Sequence, residues 1–236
     1  ELILLAVNKP VGVVGTTEKK GGDRTLEELV SYPSRVFSIG RLDKDSQGLI
    51  LMTNQGDIVN KILKAGNDHE KEYVVTVDRK VTPEFLKKMA KGVYLRELDV
   101  TTRPCRVEMA GERRFRIVLT QGLNRQIRRM CQAFGYRVTR LVRVRIMDVE
   151  LGNLQAGQYR RLSRAETSRL MSGLKTSENA APAGNGRNGA PGTGKGENGA
   201  RKTMGMKEHQ HQEKRGAVLP QKRKGDGRKE NGKKQG

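Results

Sequence analysis

The residues best suited to chemistry lie in one stretch, Gly40-Arg41-Leu42-Asp43-Lys44-Asp45-Ser46-Gln47-Gly48-Leu49. Asp43 sits there between two cations, Arg41 and Lys44, and nearby positive charge favours an ionised carboxylate. Glycines at both ends permit a tight bend or a close backbone approach that a larger residue would block. A fixed, charged carboxylate on such a loop is either a catalytic group or part of a salt-bridged turn, and these residues alone suit both. Other chemistries lack their parts. The only histidine among residues 1–171 is His69, so no Ser-His-Asp arrangement can form there. There is no phosphate-binding glycine loop, dinucleotide fingerprint or zinc-deaminase signature. Cys105 and Cys131 lie far apart without metal-type spacing, whereas a structural zinc needs four ligands, so no metal is expected. An enzyme built from this chain must work with carboxylates, arginines and tyrosines.

The second informative segment is Asn124–Phe134. At 100° per residue, Ile127, Met130, Cys131 and Phe134 gather on one side of a helix. Arg125, Arg128, Arg129 and Gln132 gather on the other, and Asn124 suits the N-cap. Gly135 ends the helix, and Tyr136–Ile146 then alternates with period two. Tyr136, Val138, Val142, Val144 and Ile146 are expected to face inward, with Arg137, Arg143 and Arg145 outward. Arg140 falls on the apolar side and is expected to point into a cleft. No acid occurs between Arg125 and Arg145, so the pattern predicts a surface that tracks phosphates rather than an ordinary solvated face of mixed sign.

The elements that must position these groups follow from the apolar pattern. Leu2–Val7 is a continuous apolar run and reads as a buried strand, ended by Asn8-Lys9-Pro10-Val11-Gly12. Thr25–Tyr32 reads as a short helix. Leu49-Ile50-Leu51-Met52 is a strand supporting the Asp43 loop. Ile58/Ile62 and Val59/Leu63 pair at i,i+4 in a helix that Gly66-Asn67-Asp68 stops. Glu70–Asp78 is a strand with Tyr73, Val75 and Val77 on one face. Thr82-Pro83 opens a helix to about Lys91. Val100–Met109 and Arg114–Thr120 form a hairpin, and Ser163–Met171 a last short helix. Strands and helices interleave around at least one hairpin, which predicts an α+β fold with a mixed, largely antiparallel sheet.

Charge names the class of partner. The chain carries a net +21 over 236 residues. The segment 172–236 has 15 Lys and Arg against 6 Asp and Glu, leaving 32 against 20 in the body. That segment holds 14 of the 28 glycines and no Phe or Tyr, so it cannot bury enough apolar surface to order itself. The expected division is a folded body, residues 1–171, and a disordered basic tail, 172–236. A chain this basic is expected to hold a polyanion, nucleic acid first. No run approaches the roughly 20 apolar residues that span a bilayer, no signal peptide or disulfide framework is visible, and a cytoplasmic location is expected. The chain starts at Glu1, directly before a strand-like run, and reads as truncated.

Three spaced blocks carry a family resemblance. Gly40-Arg41-Leu42-Asp43 with Ser46 and Gly48, then Lys71-Glu72-Tyr73, then Gly122-Leu123-Asn124-Arg125-Gln126-Ile127-Arg128-Arg129-Met130, resemble the pseudouridine synthases in type and order. The last block, together with Asn8-Lys9-Pro10-Val11-Gly12, resembles the RsuA/RluB/RluE/RluF group. Lys44–Gln47 and Ala65–Tyr73 look most like its RluF subgroup, which also carries a basic tail. The resemblance covers about residues 2–170. It implies the pseudouridine synthase fold and isomerisation of uridine in ribosomal RNA, expected to be 23S, by a monomer without cofactor. It implies Asp43 as the catalytic aspartate, Tyr73 as the ring stacking on the target base, and Arg128 as the partner of Asp43. Arg41 would hold RNA with the target nucleotide flipped out, and Ile127 would pack near the pocket. Arg125, Arg129, Arg137, Arg140 and Arg143 complete the expected RNA contacts. Members of the group begin with a small S4-type RNA-binding domain, and the resemblance implies that Glu1 falls just after where that domain would be expected. A non-catalytic RNA-binding or ribosome-assembly module retaining the fold is the alternative.

Overall fold

The computed structural model describes residues 1–15, 21–64 and 69–179. Its framework is a nine-stranded sheet. The strands are β1 (Leu4–Lys9), β2 (Phe37–Ile39), β3 (Gln47–Thr53), β4 (Lys71–Val77), β7 (Arg106–Gly111), β8 (Arg114–Leu119), β9 (Val138–Ile146), β10 (Val149–Glu150) and β11 (Tyr159–Arg161). Their order is β11-β1-β3-β9-β4-β8-β7, with β2 on β3 and β10 on β9. Every pairing is antiparallel except β3 with β9, which meet in parallel at Gln47–Val142 and Gly48–Arg143. The fold class is therefore α+β, with the largely antiparallel sheet expected from the interleaved pattern.

Both faces of the β1–β3 centre are covered, which explains their unbroken apolar runs. On one side Leu4, Ala6, Leu49 and Leu51 pack with Ile58 and Ile62 of α2 (Gly56–Lys64) and with Leu170 and Leu174 of α5 (Arg164–Asn179). On the other, Leu5, Val7, Ile50 and Met52 pack with Leu26 and Val30 of α1 (Leu26–Val30). A third core joins β4, β8 and β9 to Phe85 and Met89 of α3 (Pro83–Ala90) and to Ile127, Met130 and Cys131 of α4 (Gln126–Ala133). The caps follow the sequence where short polar side chains make them. Thr25 forms a capping box with Glu28, and Thr82 accepts from the Phe85 N–H with Pro83 opening the helix.

Several expectations are corrected. The Val100–Met109 strand is broken: β6 (Val100–Thr101) pairs with β5 (Tyr94–Leu95) in a separate small sheet, and β7 starts after Pro104, which has no N–H for a ladder. The strand β2 has no counterpart in the sequence reading. Arg125, not Asn124, is the N-cap of α4, in left-handed backbone with φ 50° and no side-chain cap bond. Gln126 closes this turn instead, its side-chain carbonyl accepting from the Leu123 N–H. Helix α5 runs on through Asn179, eight residues beyond the expected boundary at Met171, because Leu170 and Leu174 at i,i+4 both enter the core. The Gly66-Asn67-Asp68 stop and the tail beyond residue 179 lie outside the described residues. No helix among the described residues is long and apolar enough to cross a membrane.

Candidate active site

The Asp43 loop joins β2 to β3, and glycines in left-handed backbone stand at its two ends, Gly40 with φ 77° and Gly48 with φ 113°. At Gly48 only a hydrogen fits: a Cβ would lie 2.6 Å from the backbone nitrogen of Arg143 and closer still to its carbonyl oxygen. The missing side chain lets β9 close against β3 where the loop re-enters the sheet. Inside the loop, the Ser46 N–H donates to the Asp43 carbonyl at 3.0 Å, and the Ser46 side chain is fully buried. Lys44 turns away to Asp23, donating at 2.6 Å.

Two arginines of the α4 segment hold the loop from the far side. Arg125 donates twice to Asp45, at 3.0 and 2.9 Å, and its Nη1 stands 3.6 Å from Asp43 Oδ2. This two-point bond holds the Asp45 carboxyl below the usual carboxylate range; burial opposes the shift and Arg128 assists it. Arg128 is more enclosed. It donates to the Asp45 carbonyl at 2.9 Å, to Ser46 Oγ at 3.3 Å and to the Val138 carbonyl at 3.4 Å. The expected Arg128–Asp43 pair is thus corrected. Arg125 touches Asp43, because its left-handed backbone sends its side chain over the loop, while Arg128 fastens the loop backbone and Asp45.

Beneath the loop lies Lys9, a fully buried cation at the end of β1. Its ammonium donates to the carbonyls of Pro10 and Val13, both at 2.8 Å, pinning the turn that carries Val11 and Gly12. Burial lowers its pKa to about 8, against the pull of Asp43 and Asp45 and with a push from Arg143. An open cleft of about 440 Å³ runs between that turn and the loop, walled by Val11, Gly12, Val14, Gly15, Arg41, Leu42, Asp43, Lys44, Asp45 and Arg125. Arg41 is exposed on the wall and Asp43 half-buried, with 37% of its side chain accessible.

Tyr73 stands half-buried on β4, packed against the third core, with the Arg143 guanidinium 6.0 Å from its ring centre. Arg143 itself is buried, 4% exposed, contrary to its expected place on the outer surface. The reason is a bulge: Glu72 pairs with Arg145 but Tyr73 pairs with Arg143, so one residue of β9 is skipped and the two arginines fall on opposite faces. Arg145 goes to Glu70 and Glu72 at 2.9 and 3.0 Å. The remaining members of the expected basic face divide. Arg137 and Arg140 are exposed, the latter donating to Gln47 at 3.4 Å rather than pointing into an apolar cleft. Arg129 is occupied by an ion pair with Glu97 and by Asn124. Ile127 is a core residue, 4% exposed among Met130, Val75 and Leu119, and no part of the cleft wall.

The sequence reading missed Lys9 and Asp45. A lysine closing an otherwise apolar run, and a second carboxylate two residues from Asp43, were the available signals. Thiol chemistry has no support here, since burial pushes Cys105 and Cys131 up to about 11 and about 12. Among the described residues, no group of three or more His, Cys, Asp or Glu could hold a metal. The site as built is a carboxylate on the wall of an open cleft, with Arg41, Lys44 and Arg125 on the same walls.

The family model for RNA pseudouridylate synthases matches residues 3–133. The dual-specificity RNA pseudouridine synthase RluF of Salmonella typhi is 55% identical over 163 residues, which are 69% of this chain and 55% of that protein. The chain thus spans little more than half the length of that relative. The ribosomal large subunit pseudouridine synthase B of Bacillus subtilis is 30% identical over 175 residues, 72% of each. Among solved structures, a crystal structure of pseudouridylate synthase superposes with a TM-score of 0.67 at 31% identity, covering 72% of this chain and 74% of the other.

Proposed function

This chain belongs to the RNA pseudouridylate synthase family, and on that premise we propose that it isomerises uridine to pseudouridine in ribosomal RNA, with Asp43 as the reacting carboxylate. In that reaction the bond from C1′ to N1 of uracil breaks, the base turns, and C1′ rejoins at C5. A proton leaves C5 and one is gained at N1, so nothing is consumed. The observation that carries the assignment is the position of Asp43: half-exposed on the wall of the cleft, with Arg125 3.6 Å away and the loop tied to the sheet by Arg128. A carboxylate placed on the cleft wall before the substrate arrives leaves less of the barrier to positioning.

A base within a stack is out of reach of such a carboxylate, so the target nucleotide must be extruded at a cost of a few kcal/mol. Tyr73 is assigned as the ring on which the uracil stacks, recovering roughly 1–3 kcal/mol of that cost. Arg41, exposed on the cleft wall, is assigned to hold the RNA with its nucleotide flipped. Arg137 and Arg140 are assigned to phosphates, a role their exposure supports. Arg125 and Arg128 support the carboxylate loop rather than the RNA. The substrate proposed is large-subunit (23S) rRNA or one of its assembly intermediates.

The test is incubation with 23S rRNA transcript and with precursor particles, followed by complete nuclease digestion and chromatographic separation of pseudouridine from uridine. Pseudouridine is expected with the unaltered chain and absent with Asp43→Asn. Failure to form it on any of these RNAs overturns the proposal, and tight RNA binding without isomerisation would favour a binding or assembly module.

A further inference from the structure

Arg143 is the most buried guanidinium among the described residues, and no carboxylate there lies within ion-pair range of it. Its Nε donates to the Leu49 carbonyl at 2.6 Å and its Nη1 to the Arg41 carbonyl at 3.4 Å, while Nη2 is enclosed without a partner. Leu49 follows the Asp43 loop and Arg41 precedes it, so one rigid fork joins both ends of the loop. The same group lies 6.0 Å from the ring of Tyr73. A buried cation with no counter-charge costs stability, and a neutral side chain of similar size would fill the same space without that cost. The arrangement serves the two carbonyls and the ring.

We infer that Arg143 is a positioning residue for the reaction, a clasp across the neck of the Asp43 loop that fixes the carboxylate relative to Tyr73. The inference rests on the assignment of Asp43 and Tyr73 made above. It makes Arg143 neither a phosphate contact nor a group touching substrate. A lysine cannot replace it, because one ammonium on a flexible stem cannot present two planar N–H groups to carbonyls on opposite sides of the neck. Positional error of about 1 Å at a reacting centre costs on the order of 100-fold in rate.

The experiment compares the unaltered chain with Arg143→Lys, Arg143→Met and Asp43→Asn on one 23S rRNA fragment. It measures the single-turnover rate at saturating RNA, the Kd for RNA by filter binding, and melting by circular dichroism, with rates taken where each variant is folded. Both Arg143 variants are expected to lose about 100-fold in rate while Kd stays within about two-fold, since no phosphate contact is removed. A folded Arg143→Lys with unaltered rate overturns the inference. So does a variant whose rate at saturation is normal but whose Kd rises, which would make Arg143 an RNA contact. If neither variant folds at any temperature, Arg143 is a determinant of the fold and the inference also fails. An active Asp43→Asn would instead overturn the assignment on which the inference rests, whatever Arg143 does.

Discussion

Replacing Gly48 by alanine tests whether the neck of the Asp43 loop depends on the close meeting of β3 and β9. The new Cβ would lie 2.6 Å from the Arg143 nitrogen and closer to its carbonyl oxygen, both backbone atoms that cannot rotate aside. Its backbone, at φ 113°, is one that side chains rarely adopt, costing about 1–2 kcal/mol. Forcing the strands apart adds about 1–3 kcal/mol, as overpacking does in cores. Reduced freedom of the unfolded chain returns about 0.4–1 kcal/mol. The net is about 3 kcal/mol, or a fall in Tm of about 6–12 °C for a folded unit of this size. Gly135→Ala is the control, because Gly135 has φ 74° but nothing within 4 Å of its Cβ. It should cost about 1 kcal/mol and 2–4 °C. Calorimetric melts of the two variants under one buffer decide the matter. Equal Tm values for Gly48→Ala and Gly135→Ala would refute the close-packed neck and the positioning built upon it.

Three further outcomes follow from the same geometry. Arg137→Glu and Arg140→Glu should each weaken RNA binding at low salt and lower the slope of log K against log salt by about 1 or more, because a phosphate contact is lost and a repulsion added; unchanged slopes in a salt titration would remove both from the interface. Arg125→Met should lower the Tm by no more than about 2–4 °C, since the ion pairs it loses are half-exposed and worth about 1 kcal/mol or less, yet reduce the single-turnover rate at least ten-fold by freeing Asp45 and Asp43; a normal rate would show that Arg125 has no part in holding the carboxylate. Arg160 donates twice to Glu166 and holds its pKa down to about 2. A carboxylate depressed in the folded state contributes stability above the unfolded value near 4.5 and loses it as pH falls toward 2. Glu166→Gln should therefore remove about 1–2 kcal/mol of the stability difference between pH 6 and pH 2.5, discounted for the partial exposure of Arg160; equal acid sensitivity in urea titrations of the two proteins would contradict this.

Much of the fold was legible because the apolar pattern and the caps agree locally. The i,i+4 pairs of α2, the Thr82-Pro83 start of α3 and the alternating face of β4 all form as their residues dictate. The failures that matter at the site come from tertiary context. Nothing in Tyr136–Ile146 announces that β9 skips a residue against Tyr73, and that skip moves Arg143 from the surface to the interior. The left-handed turn at Arg125 is equally silent, since non-glycine residues adopt it only where the surroundings compel them. It decides which arginine reaches Asp43. Ile127 was placed on the apolar side of its helix, correctly, but helical periodicity cannot distinguish a pocket wall from a core. The loop around Asp43 was legible as a unit because charge, glycines and the following apolar run occupy consecutive positions.

The most direct measurement is tritium release from 23S rRNA labelled at C5 of its uridines, because forming a bond from C1′ to C5 must expel the hydrogen at that carbon. The unaltered chain should release tritium in proportion to the pseudouridine formed. Asp43→Ala should release none above background while its Kd for the RNA stays within a few-fold. Release by Asp43→Ala at the rate of the unaltered protein would contradict the assignment of Asp43 as the reacting carboxylate.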